Sequence, residues 1–105
     1  MRINALEKEI VKQIIRALKA EGVGWCVKVH GGPYQASGIP DILAIAPATG
    51  RFVGIEVKRP GSGRLTELQA AQIQKINDAG GVAGVAYATD DALNYLRIAD
   101  GRKMG

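Results

Sequence analysis

The sequence predicts an α/β protein of element order αβββαβα, a mixed four-stranded sheet flanked by helices, in which an αβββαβ core carries one further C-terminal helix. Three features predict it. Residues 3 to 20 hold neither Gly nor Pro and repeat their apolar positions at helical spacing. Residues 38 to 58 read as two short apolar strands around the turn Pro47-Ala48-Thr49-Gly50. A helix from Thr66 to Ala79 then leads to the apolar run Val82 to Ala88; the crossover should be right-handed, making that strand parallel to strand 51–58. A chain of 105 residues, 47% apolar and with 14 glycines, fits a single compact domain over 1–105 and is too short for a second core.

In the first helix Ile10, Ile14 and Leu18 centre one face at about 100° per residue, and Glu7 falls within that face while Glu9 points away with Gln13 and Arg16. A carboxylate in an apolar stripe is costly unless something pairs with it, although near a first turn it also complements the helix dipole. Asn4 is the expected N-cap, and Glu21-Gly22-Val23-Gly24 ends the helix. Trp25 to His30 reads as the first strand, with Lys28 and His30 on one face and Val27 and Val29 on the other. Cys26 is expected in the core. The glycine-rich connection Gly31 to Gly38 fits no strand and enters the next one directly.

Strand 51–58 places Val53, Ile55 and Val57 on one face and sets Glu56 beside Lys58 on the other. If it pairs with the preceding strand, Asp41 comes level with Glu56 and Lys58, so that two acids and a lysine converge. Unit charges about 4 Å apart repel by roughly 1 kcal/mol in water and roughly 4 kcal/mol at an effective dielectric near 20, so two carboxylates crowd together only with a cation or a shared proton. Oxygen ligands so arranged suit Mg²⁺ or Mn²⁺. Arg59 to Leu65 is a basic, flexible connection. Thr66-Glu67-Leu68-Gln69 opens the next helix as a capping box, which gives Gln69 a structural role. Thr89-Asp90-Asp91 is expected to cap the last helix, and the tail from Asp100 to Gly105 to fray.

These residues resemble the PD-(D/E)xK nuclease superfamily, and within it the VRR-NUC family, small standalone phage or bacterial type. Pro40-Asp41 stands where that pattern has PD, within Gly38-Ile39-Pro40-Asp41, and Glu56-Val57-Lys58 supplies ExK. Glu7 precedes them on a helix and Gln69 follows on the next, and the likeness runs from about Glu7 to Ala88. The resemblance implies a restriction-endonuclease-like core and a metal-dependent deoxyribonuclease. Asp41 and Glu56 would hold Mg²⁺ or Mn²⁺, the Val57 carbonyl would add a ligand, and Glu7 would ligate directly or through water. Lys58 would serve the attacking water and the scissile phosphate. It also implies a site role for Gln69, orienting Lys58 or that water, and one rotamer is not expected to serve this role and the cap together.

A net charge of +4, with several acids committed to one site, leaves the remaining surface basic and points to phosphate backbones as partners. The candidate DNA contacts are Lys28, His30, Tyr34, Gln35, Ser37, Arg59 and Arg64; the alternative is solvated surface for His30, Arg59 and Arg64, and a plain connecting loop for Tyr34, Gln35 and Ser37. Aromatics are few, only Trp25, Tyr34, Phe52, Tyr87 and Tyr95, so stacking on bases is not the expected mode. One cysteine and one histidine exclude a disulfide framework and a zinc site. The charged start and the lack of any apolar run near roughly 20 residues point to a cytoplasmic protein without a membrane span, in a bacterial or phage-infected host cell. The resemblance further implies structure-selective cleavage of branched DNA such as a Holliday junction or flap, in repair, recombination or phage DNA processing, and one site per small chain against two strands to cut points to a homodimer with paired sites. The alternatives are a sequence-specific restriction-type endonuclease, a non-catalytic DNA-binding protein, and a metal-binding domain with no nucleic-acid role.

Overall fold

The computed structural model describes residues 5–30, 38–61 and 64–101, and within them the order αβββαβα is found. Helix α1 (Ala5–Ala20) buries Ile10, Val11, Ile14 and Leu18. It ends in a Schellman turn: Gly22 adopts φ +96°, its N–H donates to Lys19, and the Val23 N–H donates to Leu18. Val23 is itself buried, which gives the turn its usual apolar contact. Asn4 and the tail beyond Gly101 lie outside the described residues.

Strands β1 (Cys26–Lys28), β2 (Ile42–Ile45), β3 (Phe52–Val57) and β4 (Val82–Ala86) form one sheet in that order. β1 to β3 are antiparallel, and β4 lies parallel to β3, as the crossover predicts. β1 is shorter than the expected run from Trp25 to His30, because β2 begins only at Ile42 and its partner strand is limited accordingly. Trp25 and Val29 still bond to Ile45 and Asp41 at its ends. Cys26 is half-buried and packs against the core, where burial raises its thiol pKa.

The register sorts the sheet into two faces. One carries Cys26 and Lys28, Ile42 and Ala44, Val53, Ile55 and Val57, and Val82, Gly84 and Ala86. Helices α1 and α3 (Thr89–Ala99) cover it, and the core lies between them. On this face a Cβ at Gly84 would run into the Tyr95 ring of α3, so the glycine admits the aromatic. The other face carries Asp41, Gly54, Glu56 and Lys58. Helix α2 (Glu67–Asp78) packs there through Ile76, which closes on Gly54 together with the fully buried Pro40.

Three side chains close the free edge of β4. Asn77 exchanges two hydrogen bonds with the Ala83 backbone, the Tyr95 hydroxyl donates to the Val85 carbonyl, and Asp91 accepts from the Tyr87 N–H. An edge so occupied offers few groups to a further strand. This use of Asp91 corrects the expected cap: the N-cap of α3 is Ala88, which makes no side-chain bond, and Asp91 reaches back to β4 instead. The start of the tail is also held rather than frayed, because Asp100 accepts from the Ala48 N–H. Beside it Thr49 donates to the Ala99 carbonyl, and Arg51 donates to the carbonyls of Gly80, Gly81 and Ile98. The β2–β3 turn is thereby pinned to the ends of α2 and α3, leaving the opposite end of the sheet for the charged residues.

Candidate active site

At that opposite end Asp41 immediately precedes β2, and Glu56 and Lys58 stand at the end of β3. The ladder aligns Ile42 with Ile55, so the same register sets Pro40 against Val57. A residue with an N–H at position 40 would donate to the Val57 carbonyl, and proline has none. The Val57 N–H meanwhile donates to Asp41 Oδ2 at 2.8 Å. Proline thus leaves one oxygen, the Val57 carbonyl, outside the β2–β3 ladder, and the aspartate is oriented by the adjoining amide. The Asp41 carboxyl lies within hydrogen-bonding reach of Glu56.

Glu56 is only 3% exposed, between Ile55 and Val57 on a central strand. Lys58 Nζ stands 3.8 Å from its Oε2, and Gln69 Nε2 donates to the same oxygen at 3.2 Å. Burial nevertheless dominates: it raises the Glu56 pKa, assisted by the hydrogen bond and charge of Asp41 and by the charge of Glu7, and Lys58 only partly opposes it. The result is about 9, so without a cation Glu56 holds a proton at neutral pH. No buried side-chain N or O among the described residues lacks a hydrogen-bond partner.

Gln69 departs from expectation. Its Oε1 accepts from the Thr66 N–H while its Nε2 donates to Glu56, and Thr66 Oγ1 accepts from the Gln69 N–H. The two ends of one carboxamide therefore serve the cap and the carboxylate in a single rotamer, contrary to the reading that these roles compete. The Thr66 amide, which sequence reasoning did not single out for the site, fixes which end of Gln69 faces Glu56. Gly38 permits the approach: its φ is +82°, and a Cβ there would lie 2.5 Å from the Leu68 carbonyl group and 2.8 Å from the Gln69 nitrogen. The capping-box spelling was the available signal for Thr66. Nothing in sequence spacing signalled the close pass of α2 over Gly38.

Glu7 reaches this end from the other side of the sheet, on α1. Its Oε2 accepts from the Arg59 N–H at 3.1 Å and lies 3.9 Å from the Arg59 guanidinium. Among the described residues no three acidic, histidine or cysteine side chains come together as a ligand cluster. Asp41 and Glu56 are therefore the closely paired carboxylates, with Glu7 set behind Arg59. Of the expected DNA contacts, Lys28 lies on the opposite sheet face from the carboxylates, half-buried. His30 and Arg64 are exposed, and Arg59 is engaged by Glu7. Tyr34, Gln35 and Ser37 lie outside the described residues.

The donor set fits a hard divalent cation. It consists of oxygens alone: the Asp41 and Glu56 carboxylates, which lie within reach of each other, and the Val57 carbonyl. A cation here would also relieve the condition that keeps Glu56 protonated.

A mixed sheet between helices, with PD at the start of one strand and ExK at the end of its neighbour, is the arrangement of a PD-(D/E)xK nuclease core. The VRR-NUC domain profile matches residues 3–90, and the chain belongs to that family. Membership places it among nucleases and implies DNA as substrate. A solved VRR_NUC domain protein superposes with a TM-score of 0.69 at 20% identity, over 87% of this chain and 84% of that one, and shares the fold. No functionally curated sequence matches the chain.

Proposed function

We propose that the protein is a Mg²⁺- or Mn²⁺-dependent DNA endonuclease that cuts branched DNA, such as a Holliday junction or flap, in repair, recombination or phage DNA processing. The observation that carries the metal-dependent reading is the meeting of Asp41, Glu56 and Lys58 beside the unladdered Val57 carbonyl. A bound divalent ion supplies a Lewis acid for the phosphoryl oxygen and lowers the pKa of the attacking water. Asp41, Glu56 and the Val57 carbonyl hold it. Gln69 fixes the Glu56 carboxylate from the α2 side, and Glu7 holds the Arg59 backbone where β3 ends. Lys58, largely enclosed beside Glu56, places an ammonium where charge develops on the phosphate. The described residues bring no nucleophile–base pair to the carboxylates, so water attacks.

Small size and the two cuts needed at a four-way junction support a homodimer with paired sites acting over one domain. A single cysteine, with no second one to form a disulfide within the domain, supports a reducing, cytoplasmic setting. The test is incubation with linear, flapped, forked and four-way junction DNA in Mg²⁺, Mn²⁺ or EDTA. Metal-dependent cleavage of the branched forms above the linear one is expected. Binding without cutting in every metal would replace the reading with a non-catalytic DNA-binding protein, and cutting of linear duplex at one sequence would replace it with a restriction-type enzyme.

A further inference from the structure

Helix α1 carries a second feature that the site does not use. Lys8, Lys12, Arg16 and Lys19 are all exposed, and at about 100° per residue they fall within an arc of about 80°. The stripe runs about 16 Å at a rise of about 1.5 Å per residue, on the side of α1 opposite the buried Ile10, Ile14 and Leu18. None of the four has an ion-pair partner among the described residues. Glu9 alone flanks the stripe, since Glu7 turns to Arg59.

Such a stripe is unfavourable to the isolated protein. Lys8 and Lys12, Lys12 and Arg16, and Arg16 and Lys19 are like charges three or four residues apart, a spacing that brings them side by side and destabilises a helix. An anion that spans them removes the repulsion. The stripe also begins one residue from Glu7, whose carboxylate meets Arg59 just past the end of β3, and from there it runs along the side of α1 turned away from the sheet.

We infer that the outer side of α1 binds a duplex arm of the DNA substrate, with phosphates on Lys8, Lys12, Arg16 and Lys19. The inference rests on DNA being the substrate and is independent of the metal chemistry. Duplex DNA presents one charge about every 1.7 Å along its axis, so each cation, about one helical turn from the next, finds a phosphate without any required register. Contacts of this kind position the duplex and carry no sequence information.

The test is equilibrium binding of a fluorescently labelled linear duplex, in EDTA so that nothing is cut, over a range of salt. The proteins are the wild type, a variant with Lys8→Gln, Lys12→Gln and Arg16→Gln, and a control with Lys75→Gln and Arg97→Gln. Removing three phosphate contacts should lower the slope of log affinity against log salt by about 2 to 3, and weaken binding on the order of a hundredfold near 0.1 M salt. The triple variant should melt no lower than the wild type, which separates lost contacts from lost fold. An unchanged slope in the triple variant overturns the inference, as does an equal loss per charge in the control. Loss of binding to anionic phospholipid vesicles, or of self-association, with DNA binding intact also overturns it and assigns the stripe to that other partner. An Asp41→Asn protein that fails to cut while keeping wild-type duplex affinity leaves it standing, so a failure of the stripe is distinguishable from a failure of the catalytic reading.

Discussion

Replacing Glu56 by Gln in the metal-free protein should raise stability at alkaline pH and flatten its dependence on pH. In the folded protein burial lifts the Glu56 pKa from 4.5 to about 9. Between those values the native state keeps a proton that the unfolded chain has released, so native stability falls as pH rises through that window. One proton corresponds to about 1.4 kcal/mol per pH unit, hence about 4 kcal/mol between pH 5 and pH 8. Below pH 4.5 both states are protonated, so the slope vanishes and the stability is fully present. Glutamine keeps the shape, offers an oxygen to Gln69, and never ionises. The wild-type minus variant difference in unfolding free energy should therefore slope downward from pH 5 to pH 8, measured by urea titration in EDTA. Since about 1 kcal/mol shifts the melting temperature of a domain this size by about 4–8 °C, thermal melts should show it too. Mg²⁺ or Mn²⁺ displaces the proton and should recover part of the wild-type stability lost at pH 8, about 2.7 kcal/mol at a hundredfold excess over Kd, and leave the variant largely unmoved. Parallel pH profiles for the two proteins would refute the argument, because they would mean that Glu56 ionises as freely in the fold as outside it.

Other substitutions probe the supports of the site. Asp41→Asn should abolish cleavage while leaving the metal-free protein at least as stable, since an amide oxygen still accepts from the Val57 N–H; wild-type cutting by this variant would end the assignment. Gly38→Ala should cost more than about 1 kcal/mol in a denaturant melt, because it combines a left-handed φ with an overlap against the α2 backbone. It should also weaken Mn²⁺ binding as Gln69 withdraws from Glu56, and unchanged binding would show that Gln69 is not held through Gly38. Thr66→Ala should lose about 1 kcal/mol of stability with its cap yet keep most activity, because the amide that holds Gln69 remains; a collapse of activity in a folded protein would locate the site function in the hydroxyl instead.

The periodic parts of the fold were legible in the residues themselves. The apolar stripe of α1, the alternation in β3 and the glycine at the end of α1 are local patterns, and each reports the geometry of a single element. The likeness of Gly38-Ile39-Pro40-Asp41 and Glu56-Val57-Lys58 to a nuclease motif singled out the site residues, and two-fold alternation put Glu56 and Lys58 on one face. The edges of these elements were less legible. β1 is cut short by where β2 starts, a neighbour distant in the chain, and Asp91 bonds the Tyr87 N–H four residues back rather than capping its own helix, a choice between nearby backbone groups that the residue types alone do not settle.

From the order of its residues alone the chain determined that it would build a mixed sheet between helices and bring two acids and a lysine to one end of it. Tertiary packing decided the rest: that Glu56 is desolvated enough to keep a proton, that one glutamine holds both a helix and a carboxylate, and that Glu7 is met by Arg59. Periodicity encodes the direction in which a side chain leaves its own backbone. Charge state and partnership depend instead on how much water and which opposite groups remain around it once helices from both faces have closed over the sheet.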